Sequence, residues 1–66
     1  MQLFINGKEQ DFDDHLTLAQ LIEHLGMKGD RVAAELNREI VSRSQWPQTT
    51  LRDGDHLEIV HFVGGG

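Results

Sequence analysis

The sequence predicts an α+β domain of two layers, in which one helix covers one face of a β-sheet. Three observations lead to this fold class: a strand-like alternation broken by a hairpin turn, a single amphipathic helical stripe after it, and further strand-like runs toward the end of the chain. The chain has 66 residues, and a domain of that size buries only about 60% of the surface that its unfolded form exposes. An internal active site would therefore have little core to occupy.

The first element is a predicted β-hairpin. Met1, Leu3 and Ile5 recur at every second position, which is the period of a strand. Asn6-Gly7 follows, and this pair readily adopts the positive φ angles of a two-residue hairpin turn. We therefore expect residues 8–12 to form the returning strand.

A short helix is predicted next, and both of its ends carry a signal. Thr17 and Gln20 have the spacing of a capping box, in which each side chain satisfies a backbone N–H at the helix start. Gly26 is placed to end the helix. The apolar residues between them fall at i, i+3, i+4 and i+7, which is one stripe facing a sheet: Leu18, Leu21, Ile22 and Leu25.

The middle of the chain predicts two further strands. Val32, Ala34 and Leu36 share one strand face, and the short apolar pair Ile40-Val41 follows a polar turn. Residues 42–50 show no regular pattern, and we expect Trp46 within them to cover the edge of the core. Asp53, Gly54 and Asp55 then form a turn signal before the last strand.

The last strand carries the densest apolar run, which is typical of a central strand, and the first strand is its natural parallel neighbour. Alternation places Leu57 and Ile59 under the helix. Val60 and Phe62 then point to the uncovered face, where Phe4 would join them. We predict that these three residues dock a partner. The alternative is that neighbouring side chains shield Phe4 and Phe62.

The composition argues against several classes of function. The chain contains no cysteine, so it has no disulfide, no thiolate metal site and no thiol nucleophile. Eleven acidic and six basic residues give a net charge of −5, and the bases are scattered singly, which does not favour a nucleic-acid partner. No signal-peptide pattern or apolar run of membrane length is present, so we expect a cytoplasmic location and no membrane partner.

We expect no catalytic residue and no metal site in this chain. The four histidines include no pair one helical turn apart, and the aspartate clusters lack the closing glutamate of a calcium loop. No serine lies in a glycine elbow. Any chemistry at this protein would then be performed by partner enzymes.

The sequence ends in Gly64, Gly65 and Gly66, directly after the last apolar run. Residues without side chains can enter a narrow channel and bring the backbone close to another protein's reactive groups. On composition alone, a flexible terminus or a linker explains three glycines better.

Over essentially its whole length, the sequence resembles the ThiS sulfur carriers of thiamine biosynthesis, which belong to the ubiquitin-like β-grasp group. Each matching motif is short, and the resemblance comes from their order: Ile5-Asn6-Gly7, Thr17-Leu18, Leu36-Asn37-Arg38-Glu39-Ile40-Val41, Arg43 with Trp46, Asp53-Gly54-Asp55, and Glu58-Ile59-Val60 before the glycines. Ser42 stands where such sequences often carry proline, and His61-Phe62 where a smaller residue is common. The resemblance implies a mixed sheet of four to five strands packed on one helix, as a single domain at residues 1–63, with a flexible glycine tail at residues 64–66.

The resemblance also implies a role for the tail. A ThiF-type adenylyltransferase would use ATP and magnesium to adenylylate the carboxylate of Gly66. Sulfur derived from a cysteine desulfurase would convert the adenylate to a thiocarboxylate, which a ThiG-type thiazole synthase would accept. Gly64 and Gly65 would form the access route, and the chain would be a co-substrate that binds no cofactor of its own.

Two alternatives stay open at this point. The first keeps the tail chemistry and changes the client, as in a molybdopterin-type sulfur carrier or a ubiquitin-like modifier. The second is a non-covalent β-grasp interaction module whose glycines are incidental. Deletion of Gly66 separates them, because a carrier should lose all activity with its partners while a module should still bind.

Overall fold

The computed structural model describes residues 1–62, so the predictions for Gly64, Gly65 and Gly66 lie outside the described residues. Within residues 1–62 the chain forms five strands, one α-helix and two 3₁₀ helices. The elements follow one another as β1 (Gln2–Ile5), β2 (Lys8–Asp11), α1 (Leu18–His24), a first 3₁₀ helix (Gly29–Arg31), β3 (Val32–Leu36), β4 (Glu39–Val41), a second 3₁₀ helix (Arg43–Gln48) and β5 (His56–His61).

The five strands form one mixed sheet in the order β2-β1-β5-β3-β4. The last strand, β5, lies at the centre. It pairs in parallel with β1, where Ile5 lies opposite Leu57, and it pairs antiparallel with β3 along its length. The α+β fold class, the central place of the last strand and its parallel pairing with the first strand are therefore confirmed.

The helix α1 has the two ends that its sequence predicts. The backbone N–H of Gln20 donates to Thr17 Oγ1 at 3.2 Å, and the backbone N–H of Thr17 donates to Gln20 Oε1 at 2.9 Å, which completes the capping box. The helix ends before Gly26, which has a φ of 72°. Its seven residues span only about 10 Å, so packing and not intrinsic propensity holds it. Among residues 1–62, no helix has the length and apolar character needed to cross a membrane.

The core lies between α1 and the inner face of the sheet. Every inner-face residue on β1, β3 and β5 that belongs to this core is at most 5% exposed, and the set comprises Leu3, Ile5, Val32, Ala34, Leu57 and Ile59. The helix contributes Leu18, Leu21 and Ile22. The predicted strand phase is confirmed, because Leu57 and Ile59 are buried and Val60 is exposed.

The segment between β4 and β5 differs from the prediction. The six residues Arg43–Gln48 form a 3₁₀ helix where the sequence shows no regular pattern. Trp46 does not merely cover the edge: it is 4% exposed and belongs to the core cluster. Its indole Nε1–H donates to the backbone carbonyl of Val41 at 2.9 Å. A tertiary contact therefore holds this helix, which is too short to show a clear apolar period.

Candidate functional site

The sheet face that α1 leaves uncovered carries the largest exposed apolar side chains among the described residues. Val60 is 56% exposed and Phe62 is 49% exposed. The strand register places Ala33 directly opposite Val60, and Ala33, Ile40 and Phe62 line one shallow depression. We call Ala33, Ile40, Val60 and Phe62 the outer apolar patch.

Phe4 lies on the same face but apart from this patch. Its ring stacks on the imidazole of His56, with ring centroids 4.4 Å apart and planes inclined by 8°. Val60 lies four residues after His56 on β5, which is about 13 Å along a strand. Glu58 lies between His56 and Val60. The structure thus places two of the predicted docking residues, Val60 and Phe62, in the patch, while a neighbouring ring partly shields the third.

Ile40 is the residue that the sequence prediction left out. It is 80% exposed and lies on the edge strand β4, opposite Glu35. The sequence showed Ile40-Val41 as an apolar pair without assigning either residue to a face. The register resolves this, because Val41 pairs with the buried Ala34 and so belongs to the inner side. Alternation then puts Ile40 on the outer face.

Two glutamates lie beside the outer apolar patch. Glu35 on β3 is directly opposite Glu58 on β5, and both line a polar depression together with Arg38 and His56. Within residues 1–62, neither carboxylate lies within 4.0 Å of a basic nitrogen. The outer face therefore has an apolar part and an adjoining acidic part.

The last described residues are held against the first 3₁₀ helix. The backbone N–H of Phe62 donates to the carbonyl of Arg31 at 3.0 Å. Lys28, Arg31 and His61 line a depression at this end of the sheet. Two basic side chains and an imidazole therefore lie near the last described residues, and His61 shares the strand phase of Leu57 and Ile59 and not that of the outer apolar patch.

The described part of the chain brings together no group of three or more histidine, aspartate or glutamate side chains that could hold a metal ion. The imidazoles of His56 and His61 lie at opposite ends of β5, and the imidazole of His56 stacks on Phe4. Residues 1–62 thus present an exposed apolar face that adjoins two carboxylates.

Comparison with known proteins identifies the family. The model of the ThiS family matches residues 3–66. The chain belongs to the ThiS family. It is 37% identical to the sulfur carrier protein ThiS of Bacillus subtilis over 65 residues, which cover 97% of this chain and 98% of that protein. The crystal structure of the thiamine biosynthesis protein ThiS from Geobacter metallireducens matches with a TM-score of 0.87 and 36% identity, and the match covers both chains completely.

ThiS proteins are small sulfur carriers: the relatives in Bacillus subtilis and Escherichia coli are named sulfur carrier protein ThiS, and the Geobacter metallireducens relative is named as a thiamine biosynthesis protein. The predicted family and the predicted ubiquitin-like β-grasp fold are both confirmed. A longer relative is also similar: the thiazole synthase of Paramagnetospirillum magneticum is 47% identical over 66 residues, covering 100% of this chain. The chain spans only 20% of the length of that thiazole synthase.

Proposed function

We propose that this ThiS-family chain carries sulfur as a thiocarboxylate on Gly66 and donates it for the synthesis of a thiazole. A carboxylate is a poor electrophile, because its charge repels nucleophiles and oxide is a poor leaving group. Activation must therefore come first. An adenylyltransferase partner would use ATP and magnesium, so that a carboxylate oxygen attacks the α-phosphorus, pyrophosphate leaves and an acyl-adenylate forms.

Sulfur would enter in the next step. The terminal sulfur of a protein persulfide, supplied through a cysteine desulfurase, attacks the acyl carbon and AMP leaves. The product is an acyl disulfide, and a second thiol cleaves its S–S bond to release the thiocarboxylate and a new disulfide. A thiazole synthase would then take the sulfur, and the carboxylate of Gly66 would be restored.

The observation that carries this proposal is the family match, which extends through the glycines to Gly66. The sequence adds a second argument, because a chain without cysteine has no side chain of its own that could hold a persulfide. The similarity of this chain to part of two thiazole synthases supports an enzyme of that class as the sulfur acceptor.

The geometry sets a limit on where the partner must bind. Four residues follow Phe62, and an extended chain of that length reaches at most about 14 Å. A partner that holds Gly66 in its active site must therefore contact the domain close to the end of β5, where the outer apolar patch lies. Ordering the glycines costs about 1–2 kcal/mol per residue, which contacts at the patch would offset.

The chain itself would bind no cofactor in this cycle, since ATP and magnesium belong to the adenylyltransferase. The proposed steps consume ATP and need free thiols, and the cytoplasm keeps thiols reduced. We therefore keep the cytoplasmic location as a prediction.

The proposal is tested by alkylation of the reaction product. The chain is incubated with ATP, magnesium, the adenylyltransferase, the cysteine desulfurase and cysteine, then treated with a thiol alkylator and fragmented in a mass spectrometer. An adduct at Gly66 indicates a thiocarboxylate, because the chain has no cysteine. Omission of ATP and deletion of Gly66 are the controls, and an unlabelled terminus after complete incubation would contradict the proposal.

A further inference from the structure

The acidic part of the outer face has an unfavourable arrangement in the free protein. Glu35 and Glu58 lie directly opposite each other on neighbouring antiparallel strands. Side chains in such pairs are close, with Cβ atoms about 4.5–5.5 Å apart, and like charges in these positions destabilise a sheet. No basic nitrogen within residues 1–62 forms an ion pair with either carboxylate. The pair therefore works against folding stability.

The glutamate pair adjoins the outer apolar patch on both strands. Glu58 is two residues from Val60 on β5, and Glu35 is two residues from Ala33 on β3. Ile40 lies opposite Glu35 on the other side. One continuous surface thus combines exposed apolar side chains with two carboxylates that form no ion pair within residues 1–62. Such a surface is complementary to a partner that is apolar with a positive charge at one edge.

We propose that this combined surface docks a protein partner that places one arginine or lysine between Glu35 and Glu58 while its apolar side chains cover Ile40 and Val60. A guanidinium fits this arrangement best, because its several N–H groups can bind two carboxylates at once. Docking replaces repulsion between the glutamates by attraction to the cation. The inference rests on the proposed function only in taking the partner to be an enzyme of the sulfur-transfer cycle.

A second copy of this chain meets these requirements poorly. In a two-fold symmetric dimer through this face, each protomer presents the same surface, so Glu35 and Glu58 of one copy approach a surface with two glutamates and one arginine, Arg38. The net charge of −5 adds to the repulsion between copies. Charge complementarity therefore favours a different protein as the occupant.

Arg38 provides the competing explanation within the chain. It lines the same polar depression as Glu35 and Glu58, and its side chain is exposed. If Arg38 neutralised the pair in solution, the glutamates would stabilise the fold and would be unavailable to a partner. Removal of a glutamate charge then has opposite consequences under the two explanations.

The test compares Glu35→Gln and Glu58→Gln with the matched control Glu23→Gln, which removes the same charge from α1 on the other side of the sheet. We expect each sheet variant to raise the Tm of the free protein by about 1–5 °C. In calorimetric titration against the adenylyltransferase of the same organism, we expect each to bind at least about tenfold more weakly, with a smaller dependence on salt. The control should leave affinity unchanged.

Several outcomes would overturn the inference. A fall in Tm for Glu35→Gln that Arg38→Gln reproduces would assign the glutamates to an internal ion pair. If both sheet variants bound the adenylyltransferase and the thiazole synthase as tightly as the parent protein does, Glu35 and Glu58 would take no part in docking. A dimer that Glu58→Gln strengthens in sedimentation experiments would assign the face to self-association. Failure of the parent protein to form a thiocarboxylate bears on the proposed function, and the affinities of the variants bear on this surface.

Discussion

The side chain of Asn6 binds both backbone groups of Ile59. Its Oδ1 accepts from the Ile59 N–H at 2.8 Å, and its Nδ2 donates to the Ile59 carbonyl at 3.0 Å. The regular pairing of β1 with β5 extends only to Ile5 and Leu57, so a side-chain amide continues the parallel ladder where the backbone turns away. Asn37 contacts the other end of the strand, where its Oδ1 accepts from the His56 N–H at 3.0 Å.

Replacement of Asn6 by alanine should destabilise the domain. Asn6 has a φ of 51°, which asparagine tolerates better than alanine, and the change also leaves two backbone groups of the buried Ile59 without their partner. We expect a loss of about 1–3 kcal/mol in the free energy of unfolding and a Tm lower by roughly 4–24 °C in thermal denaturation. Asn6→Gly is the control that keeps the positive φ and removes only the amide. If Asn6→Gly were as stable as the parent, the side-chain contact with Ile59 would contribute nothing.

Val60 and Ile59 are adjacent residues that should respond in opposite ways to a charge. Val60 is 56% exposed and Ile59 is 3% exposed, so Val60→Lys should leave the Tm nearly unchanged while Ile59→Lys should unfold the domain. The predicted loss for Val60→Lys is in partner binding, because a charge then lies on the outer apolar patch. Circular dichroism and titration against the adenylyltransferase measure the two effects. A collapse of the fold in Val60→Lys would contradict the assigned docking face.

Ile40 and Phe4 test how far the docking surface extends. Ile40 lies in the outer apolar patch, whereas Phe4 is covered on one side by His56. We expect Ile40→Ala to weaken partner binding by about tenfold, and Phe4→Ala to weaken it less, because less of the Phe4 ring is free to be buried. Affinities of the two variants for the adenylyltransferase decide this. A larger effect at Phe4 would place the centre of the interface over β1.

The fold was predictable because several short signals agree. The helix follows from the capping box at Thr17 and Gln20 together with its apolar stripe, and both lie within one stretch of chain. The phase of β5 follows from the alternation of its apolar residues. Each of these signals is local, so a single sequence contains them.

The surface of the site was less predictable because it depends on how strands pair. Whether Ile40 shares a depression with Ala33 and Phe62, and whether Phe4 lies near them, is decided by the registers of β4 on β3 and of β1 on β5, which the sequence of one strand does not contain. The register of β3 on β5 likewise places Glu35 opposite Glu58. The 3₁₀ helix at Arg43–Gln48 was missed because burial of Trp46, and not a local pattern, holds it.

Fragmentation of the alkylated chain shows directly whether sulfur is carried on Gly66. After incubation with the activating enzyme, ATP, magnesium and the sulfur source, we expect the alkyl group on Gly66, and we expect no alkylation when ATP is omitted. Oxidation of Met1 or Met27 nominally mimics the exchange of oxygen for sulfur in mass, so the position of the alkyl group is the readout. An alkyl-free Gly66 after a reaction that consumes ATP would contradict sulfur transfer to this residue.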